Sequence, residues 1–443
     1  MAPARLGKTK TGSLVILGLL FCLGVVLYVQ LTTAPPWQTP QVSMTPQPTL
    51  LSEPILQAPT ASSVRVVWFT EFEGSAHSVV YGPTGQVVAA ATTRLSRTRE
   101  DAKSHTVQPY EEVTERPIWR HEAEVGGLLP GERLAYSVSS TTADGTVVDS
   151  SQFSLSATPP AGQPLKILLT SDHQMMPMTA ANLQKVQDTI GRVDGVFLAG
   201  DLVNIPDRAS EWFDDTRGGA FFPCLQGRGS YTLTKNGSRT VYNGGQLIQH
   251  APLFPAIGNH EVMGRYGTAL DLGEQFNDPV PWAAAKTLYD SYERIFNPTS
   301  DIQVQRRWLE NHSFNIDTYN EIFSLPKAPR DRGQTQRYYA TTFGDVRLVS
   351  LYVTQIWRVP AVNDKKRGRY QESAADIDNP VSWGHGQFIF EGIEPGSPQY
   401  EWLQTELASD AFQQARYKIV MMHHPAHTLG GNVVPAFTTP VPV

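Results

Sequence analysis

Cysteine is almost missing from this chain: Cys22 and Cys224 are the two among 443 residues, and the first lies inside an apolar segment where it cannot easily meet the second. That excludes a disulfide framework and a cysteine-built metal site. Positive charge is also short. Lys and Arg number 36 against 42 Asp and Glu, leaving a net charge of -6, so no basic surface invites nucleic acid or anionic lipid. No Lys or Arg stands between Lys10 and Arg65, and no histidine follows His427. Apolar residues, by contrast, make up 40% of the chain and charged ones 18%, enough for a large core and two domains with additions.

One apolar run is long. "SLVILGLLFCLGVVLYVQL", Ser13 to Leu31, has the length needed to cross a bilayer core of roughly 30 Å as a helix. Arg5, Lys8 and Lys10 precede it, so the positive-inside rule keeps residues 1–12 in the cytoplasm and exports everything downstream, to the periplasm or the outside. The competing reading is a cleaved signal peptide, but the one small-residue site, Thr32 to Ala34, runs into Pro35 and Pro36. An uncleaved membrane anchor is therefore expected. Residues 32–54, rich in Pro, Thr, Ser and Gln, read as a spacer.

From 55 to 158 the chain carries short alternating runs. "SVRVVWFT" sets Val64, Val66 and Trp68 on one face, and "RLAYSVSS" keeps Leu134, Tyr136 and Val138 in register. Turn signals such as "GPTG", "LPGE" and "ADGT" bound them, which predicts an antiparallel β-sandwich. With no clustered His, Asp or Glu, this region reads as a structural or docking module.

At Lys166 the pattern changes. "LKILLTSDHQ" is a continuous apolar run ending in polar residues, as expected of a buried strand that presents ligands at its carboxyl end. Leu183, Val186 and Ile190 then recur at helical spacing before a second such run, "GVFLAGD". A third, "APLFPAIGNHE", ends in Asn259, His260 and Glu261, and a fourth, "YKIVMMHH", ends in His423 and His424. One aspartate after a strand is ordinarily a turn or helix cap. Four strand ends carrying Asp172, Asp201, Asn259 and His423 make a ligand set for hard or borderline divalent metals. Gly200 and Gly258 let the backbone turn and approach a ligand closely. Two metals about 3.5–4 Å apart would orient a phosphate and activate a hydroxide for attack, which points to phosphoester hydrolysis.

The ordered blocks "SDHQ", "GDLV", "GNHE" and "MMHHP" resemble those of the calcineurin-like metallophosphoesterases, and the arrangement is most similar to the purple acid phosphatases. "VVWFT", "VVYG" and "GLLPGERLAYSV" resemble the fibronectin-like domain that precedes catalysis there, and "PQYEWLQTELASD" resembles the helix before the histidine strand. The resemblance implies an α+β fold: a four-layer α/β/β/α metallophosphoesterase sandwich over 165–443, preceded by the antiparallel β-sandwich and the N-terminal transmembrane helix. It further implies that Asp172 ligates one metal, that Asp201 bridges two, and that Asn259 and His423 ligate the second. The cofactors would be two divalent or trivalent ions of iron, zinc or manganese. His260 would contact the scissile phosphate as general acid or charge stabiliser. The substrate would be a small phosphomonoester or phosphodiester.

Three departures mark the chain. Gln174 stands where the family places a histidine ligand, and is left between weak ligation and hydrogen bonding. Asn204 replaces the tyrosinate of the purple enzymes, which removes the basis for their ferric colour and leaves a contact to phosphate or His260. The late Gly-His-x-His block is not found after His427, so the sequence is expected to be either truncated or degenerate, and truncation is favoured because an unpaired sheet edge would otherwise remain. His424 and His427 are left as neighbours or substrate contacts, and Glu261 as a partner of His260 or a solvated turn residue. Two insertions, Asn204 to Gln249 with a hairpin at Asn236-Gly237 and Gly264 to Arg337 with helical patterns, are placed either at the site mouth or in peripheral packing. Arg239, Arg265 and Arg337 are noted as phosphate partners or surface charges. The rival to a membrane-tethered phosphohydrolase is a noncatalytic exported binding protein built on the same body.

Overall fold

Val64, Val66 and Trp68 do share one face of a strand, and so do Val67 and Phe69 on the other; all five are buried. This doubly buried strand explains the architecture. A computed structural model describes residues 48–326, 337–357 and 388–424, with positions 371–372, 374–375, 378 and 441–442 in addition. The expected membrane span at 13–31, most of the spacer, and His427 lie outside the described residues. Among the described residues no helix is long and apolar enough to cross a membrane.

The first half of the described chain is a sandwich of two antiparallel sheets. One contains β1 (Ile55–Gln57), β2 (Ser63–Thr70), β5 (Ala91–Arg94) and β8 (Trp119–Gly126), in the order β1-β2-β8-β5. The other contains β3 (Ala76–Tyr81), β4 (Gln86–Ala89), β9 (Leu134–Thr141), β10 (Val147–Asp149) and β11 (Phe153–Leu155), with β9 central. Between β5 and β8 the chain leaves the sandwich as a short ribbon, β6 (Arg99–Glu100) and β7 (Thr114–Glu115). Val64, Val66 and Trp68 face Tyr136 and Val138 in the sandwich core. Val67 and Phe69 instead join a core with Trp212, Phe213 and Phe222, the Phe69 ring lying 5.0 Å from Phe213. Burying two faces of one strand removes apolar area from water twice over and fuses the sandwich to the body beyond Lys166. Polar contacts reinforce the join: Leu56 N–H donates to Ile248 O at 3.0 Å and the Tyr136 hydroxyl donates to Gln249 O at 2.8 Å.

The sandwich also holds a pair of buried imidazoles that correct the expectation of no clustered histidine. His77 and His121 stack with centroids 3.6 Å apart, one from each sheet. The hydroxyls of Thr70 and Thr92 satisfy His121, and the Ser140 hydroxyl with the Glu73 carbonyl satisfies His77. Burial, the facing His77 and Arg120 hold His121 down to about 3, and burial lowers His77 as well.

Beyond Lys166 come two facing three-stranded sheets. β12 (Ile167–Thr170), β13 (Gly195–Leu198) and the strand Leu253–Pro255 run parallel. The strands Tyr339–Phe343 and Val346–Ser350 are antiparallel, and the latter pairs in parallel with Tyr417–Met421. Phe197, Phe254, Tyr339, Leu348 and Met421 fill the space between the sheets. The helix Thr179–Ile190 packs Leu183 on the outside of the first sheet, while Trp402 and Leu403 of the helix Pro398–Ala408 cover the second against Val349 and Leu351. The layers are thus helix, sheet, sheet, helix.

Two details depart from the sequence reading. The outer strands are half-buried edges rather than buried ones, with Leu169 63% and Tyr417 53% exposed. Ile190 likewise turns outward. An apolar run reports strand content, and the number of neighbours decides burial. The hairpin at Asn236-Gly237 forms as expected, Lys235 opposite Ser238, with both turn residues at positive φ (51° and 79°) as a two-residue turn of this kind requires.

Candidate metal centre

The carboxyl ends of three strands converge. Asp172 follows β12, Asp201 follows β13, and His423 follows Tyr417–Met421; ligand atoms of these three side chains all lie within 4.8 Å of one another. The backbone is bent to achieve this. Asp172, Gln174 and Asp201 adopt φ of 54°, 32° and 57°, a left-handed region that costs non-glycine residues about 1–3 kcal/mol each and is held by the surrounding hydrogen bonds. Asp172 N–H donates to Gly200 O at 3.1 Å and Gln174 N–H to Leu202 O at 3.1 Å, stitching the two loops together.

The glycines serve different needs. Gly200 has φ 90°, a conformation that demands glycine. Gly258 has an extended backbone, φ -102°, and is needed for space: a Cβ there would overlap Asp201 Oδ1 and lie 2.7 Å from Asp201 N.

His423 and Asp201 are each oriented by neighbouring groups. His423 Nδ1 donates to Ala199 O at 2.8 Å, which directs Nε2 to within 3.2 Å of Asp201 Oδ2. Burial lowers His423, but the Asp201 bond and the Asp201 and Asp172 charges outweigh it and lift the imidazole to about 9. A proton therefore sits where a cation would compete for it. Asp201 Oδ1 accepts from His260 N–H at 3.0 Å and Oδ2 from Gln174 Nε2 at 2.6 Å. Gln174 thus enters the site through its amide nitrogen. Asn259 is buried in the turn Asn259–Glu261 that follows the third strand.

His260 is fixed by Nδ1, which donates to the carbonyl of Asn204 at 2.8 Å, and its ring lies 5.1 Å from Phe276. Asn204 therefore touches His260 through its backbone. Phe276 belongs to the second insertion, so that insertion reaches the site. His424 stands edge-on to His423, centroids 4.6 Å apart, and burial together with His423 holds it down to about 3, neutral.

Glu261 overturns the expectation of a solvated turn residue or a His260 partner. It is fully buried, Oε2 accepting from Asp201 N–H (2.9 Å) and Gly258 N–H (2.6 Å) and Oε1 from Leu202 N–H (2.7 Å). Burial and the Asp201 charge push it up to about 7 against the pull of those donors. One carboxylate thereby clamps the two loops that carry Asp201 and Asn259. His173, passed over in the sequence, is also buried beside Asp172; Thr170 Oγ1 meets its Nε2 at 3.1 Å, and burial holds it down to about 4. Its position inside "SDHQ" was the available signal. Arg265 is engaged by Asp278 and Arg337 by Glu391, while Arg239 lies exposed on the hairpin.

Two carboxylates, an imidazole with its distal nitrogen anchored, and a carboxamide on the next loop are a fitting donor set for a borderline divalent cation. No curated protein matches the chain. Among solved structures, a purple acid phosphatase from yellow lupin (Lupinus luteus) seeds is similar at 15% identity and TM-score 0.48, over 84% of this chain and 51% of that one, so the chain spans about half its length. The vertebrate membrane protein astrotactin-2 gives 12% identity, TM-score 0.17, and 31% and 26% coverage. The model of the calcineurin-like phosphoesterase family matches residues 165–441, a stretch that contains every strand end of the centre. On that match the chain belongs to the calcineurin-like phosphoesterase family.

Proposed function

We propose that this protein hydrolyses a phosphomonoester or phosphodiester at a two-metal centre, tethered to the cytoplasmic membrane by residues 13–31 with the catalytic body exported. The observation that supports it most is the convergence of Asp172, Asp201 and His423 from three strand ends. Asp172 would hold one ion, Asp201 both, and Asn259 and His423 the second, with Gln174 supporting Asp201. When bound, iron, zinc or manganese supplies a water of lowered pKa and polarises phosphoryl oxygens. The chain's own residues do the rest. Asp201, hydrogen-bonded by Gln174 and His260 N–H, keeps its carboxylate oriented. His260, held by Nδ1, offers Nε2 to stabilise the phosphoryl oxygens and to pass a proton to the leaving oxygen.

The test is turnover of p-nitrophenyl phosphate by the full chain with added manganese, zinc or iron, compared with His260→Ala. A loss of about 10²–10⁴-fold is expected. Equal rates would sink the assigned mechanism, and absent turnover in the metal-loaded wild type would favour the noncatalytic reading. The tether is tested by alkaline extraction of membranes, from which a spanning protein does not leave.

A further inference from the structure

The segment Arg99–Asp101 belongs to the sandwich by sequence but lies against the phosphoesterase body. Arg99 N–H donates to Asp207 O at 2.8 Å, and Arg99 bridges Arg208 in parallel. Next along the segment, Asp101 is 1% exposed. Its carboxylate accepts from Arg208 Nη2 at 3.1 Å on both oxygens, from Leu272 N–H at 2.8 Å on Oδ2, and from Lys103 N–H and Ser104 Oγ on Oδ1.

Each of the first two contacts leads to His260. Arg208 Nη1 donates to Glu211 Oε1 at 3.0 Å, and Glu211 Oε2 accepts the N–H groups of Asn204 (2.7 Å) and Ile205 (3.0 Å). Asn204 O is the acceptor that holds His260 Nδ1. On the other side, Leu272 opens the short helix Leu272–Phe276, whose last residue sets its ring against the His260 imidazole. Glu211 and Phe276 are buried, so the links are not diluted by solvent.

We propose that Asp101 is a positioning residue for His260, acting on the Asn204 carbonyl through Arg208 and Glu211 and on Phe276 through Leu272. The sandwich domain is then part of the catalytic apparatus. This rests on the reading of His260 as the group at the scissile phosphate, and it adds a residue about 160 positions away in sequence, 101 against 260.

The experiment is a double-mutant cycle between Asp101→Asn and His260→Ala on the full metal-loaded chain. Asp101→Asn is expected to lower kcat about tenfold with KM and bound metal within about twofold, because a displaced imidazole loses its alignment. In the His260→Ala background the same change should cost nothing further. A drop of equal size in both backgrounds, or no drop in either, overturns the proposal. A second readout needs no turnover: the Nδ1 proton of His260, identified in NMR spectra by its loss in His260→Ala, should exchange faster with water in Asp101→Asn, and an unchanged signal overturns the proposal. Glu211→Gln, probed in the same two ways, replaces Asp101→Asn if that variant does not fold. Failure of the phosphohydrolase reading is separate, since it is decided by whether the metal-loaded wild type turns over at all, and failure of the His260 assignment by whether His260→Ala loses turnover.

Discussion

Glu261→Gln changes one atom of a buried side chain, and the structure sets its cost. In the wild type two oxygens accept three backbone N–H groups, those of Asp201, Gly258 and Leu202. Glutamine keeps one oxygen. Placed toward Asp201 and Gly258, it preserves two bonds and turns its amide N–H₂ against the N–H of Leu202. One buried donor left unsatisfied costs about 1–3 kcal/mol, and the two surviving bonds lose their charge assistance, roughly another 1 kcal/mol together. The metal-free protein should therefore lose at most about 3 kcal/mol of stability. The raised pKa of Glu261 tempers this, because part of the clamp's charge is opposed by Asp201. The larger effect falls on metal. Asp201 and Asn259 lose the residue that fixes the spacing of their loops, and such supporting partners are worth about 10–100-fold in affinity. Denaturant unfolding of the metal-free protein and equilibrium dialysis with zinc, read by mass spectrometry, measure the two quantities. Unaltered affinity with an unaltered midpoint would show that the loops hold themselves and that Glu261 is no clamp.

Gly258→Ala should abolish metal retention while Gly200→Ala also strains the backbone, because the first Cβ collides with Asp201 Oδ1 and the second must sit at φ 90°; metal content per chain separates either from wild type. Metal binding at pH 7.5 should release about one proton, since His423 is held up to about 9 and must shed it to ligate; calorimetric titration in buffers of different ionisation enthalpy reads the number, and no buffer dependence would contradict the Asp201–His423 pair. Acid should destabilise the sandwich through His121: its folded pKa, about 3, lies below the unfolded value near 6.5, so the unfolded chain binds more protons and stability falls as pH drops from about 6.5 toward 3. The loss should reach about 2–3 kcal/mol between pH 7.5 and 4.5 and shrink in His121→Gln, measured by denaturant midpoints at both values. Arg99→Met should cost about 3–5 kcal/mol by leaving Asp207 buried without its cation, and the Arg99→Met, Asp207→Leu pair should recover much of it.

How much of this was legible depended on sequence distance. The strand ends were plain because an apolar run that stops at Asp, Asn or His is a local pattern, and Asp172, Asp201, Asn259 and His423 all stand at such stops. The Asn236-Gly237 turn was plain for the same reason. Glu261 was not, because its partners Asp201 and Leu202 lie about 60 residues away and nothing local distinguishes a clamping glutamate from a solvated one. Asp101 and Arg208, 107 positions apart, are equally silent in one dimension. The second burial of β2 did leave a trace. "SVRVVWFT" is apolar on both parities beyond Arg65, and period-two alternation recorded only Val64, Val66 and Trp68. A run apolar on both faces is the mark of a strand covered twice. Outer strands misled in the opposite sense, since Leu169 and Val420 are as apolar as their buried neighbours yet are 63% and 44% exposed on edge strands.

Phe69 bears on how the two halves of this chain can be inherited. Its ring packs against both Phe213 and Phe222, so the sandwich supplies a wall of the larger core. A phosphoesterase body starting near residue 165 would open that wall to water across Phe213, Phe222 and Ile248, and a sandwich alone would present Val67 and Phe69 as an apolar stripe. Neither half is a free module for shuffling. Substitutions on either side of the seam must arise in step, and exchange of the sandwich with that of another chain would have to carry β2 and its socket together.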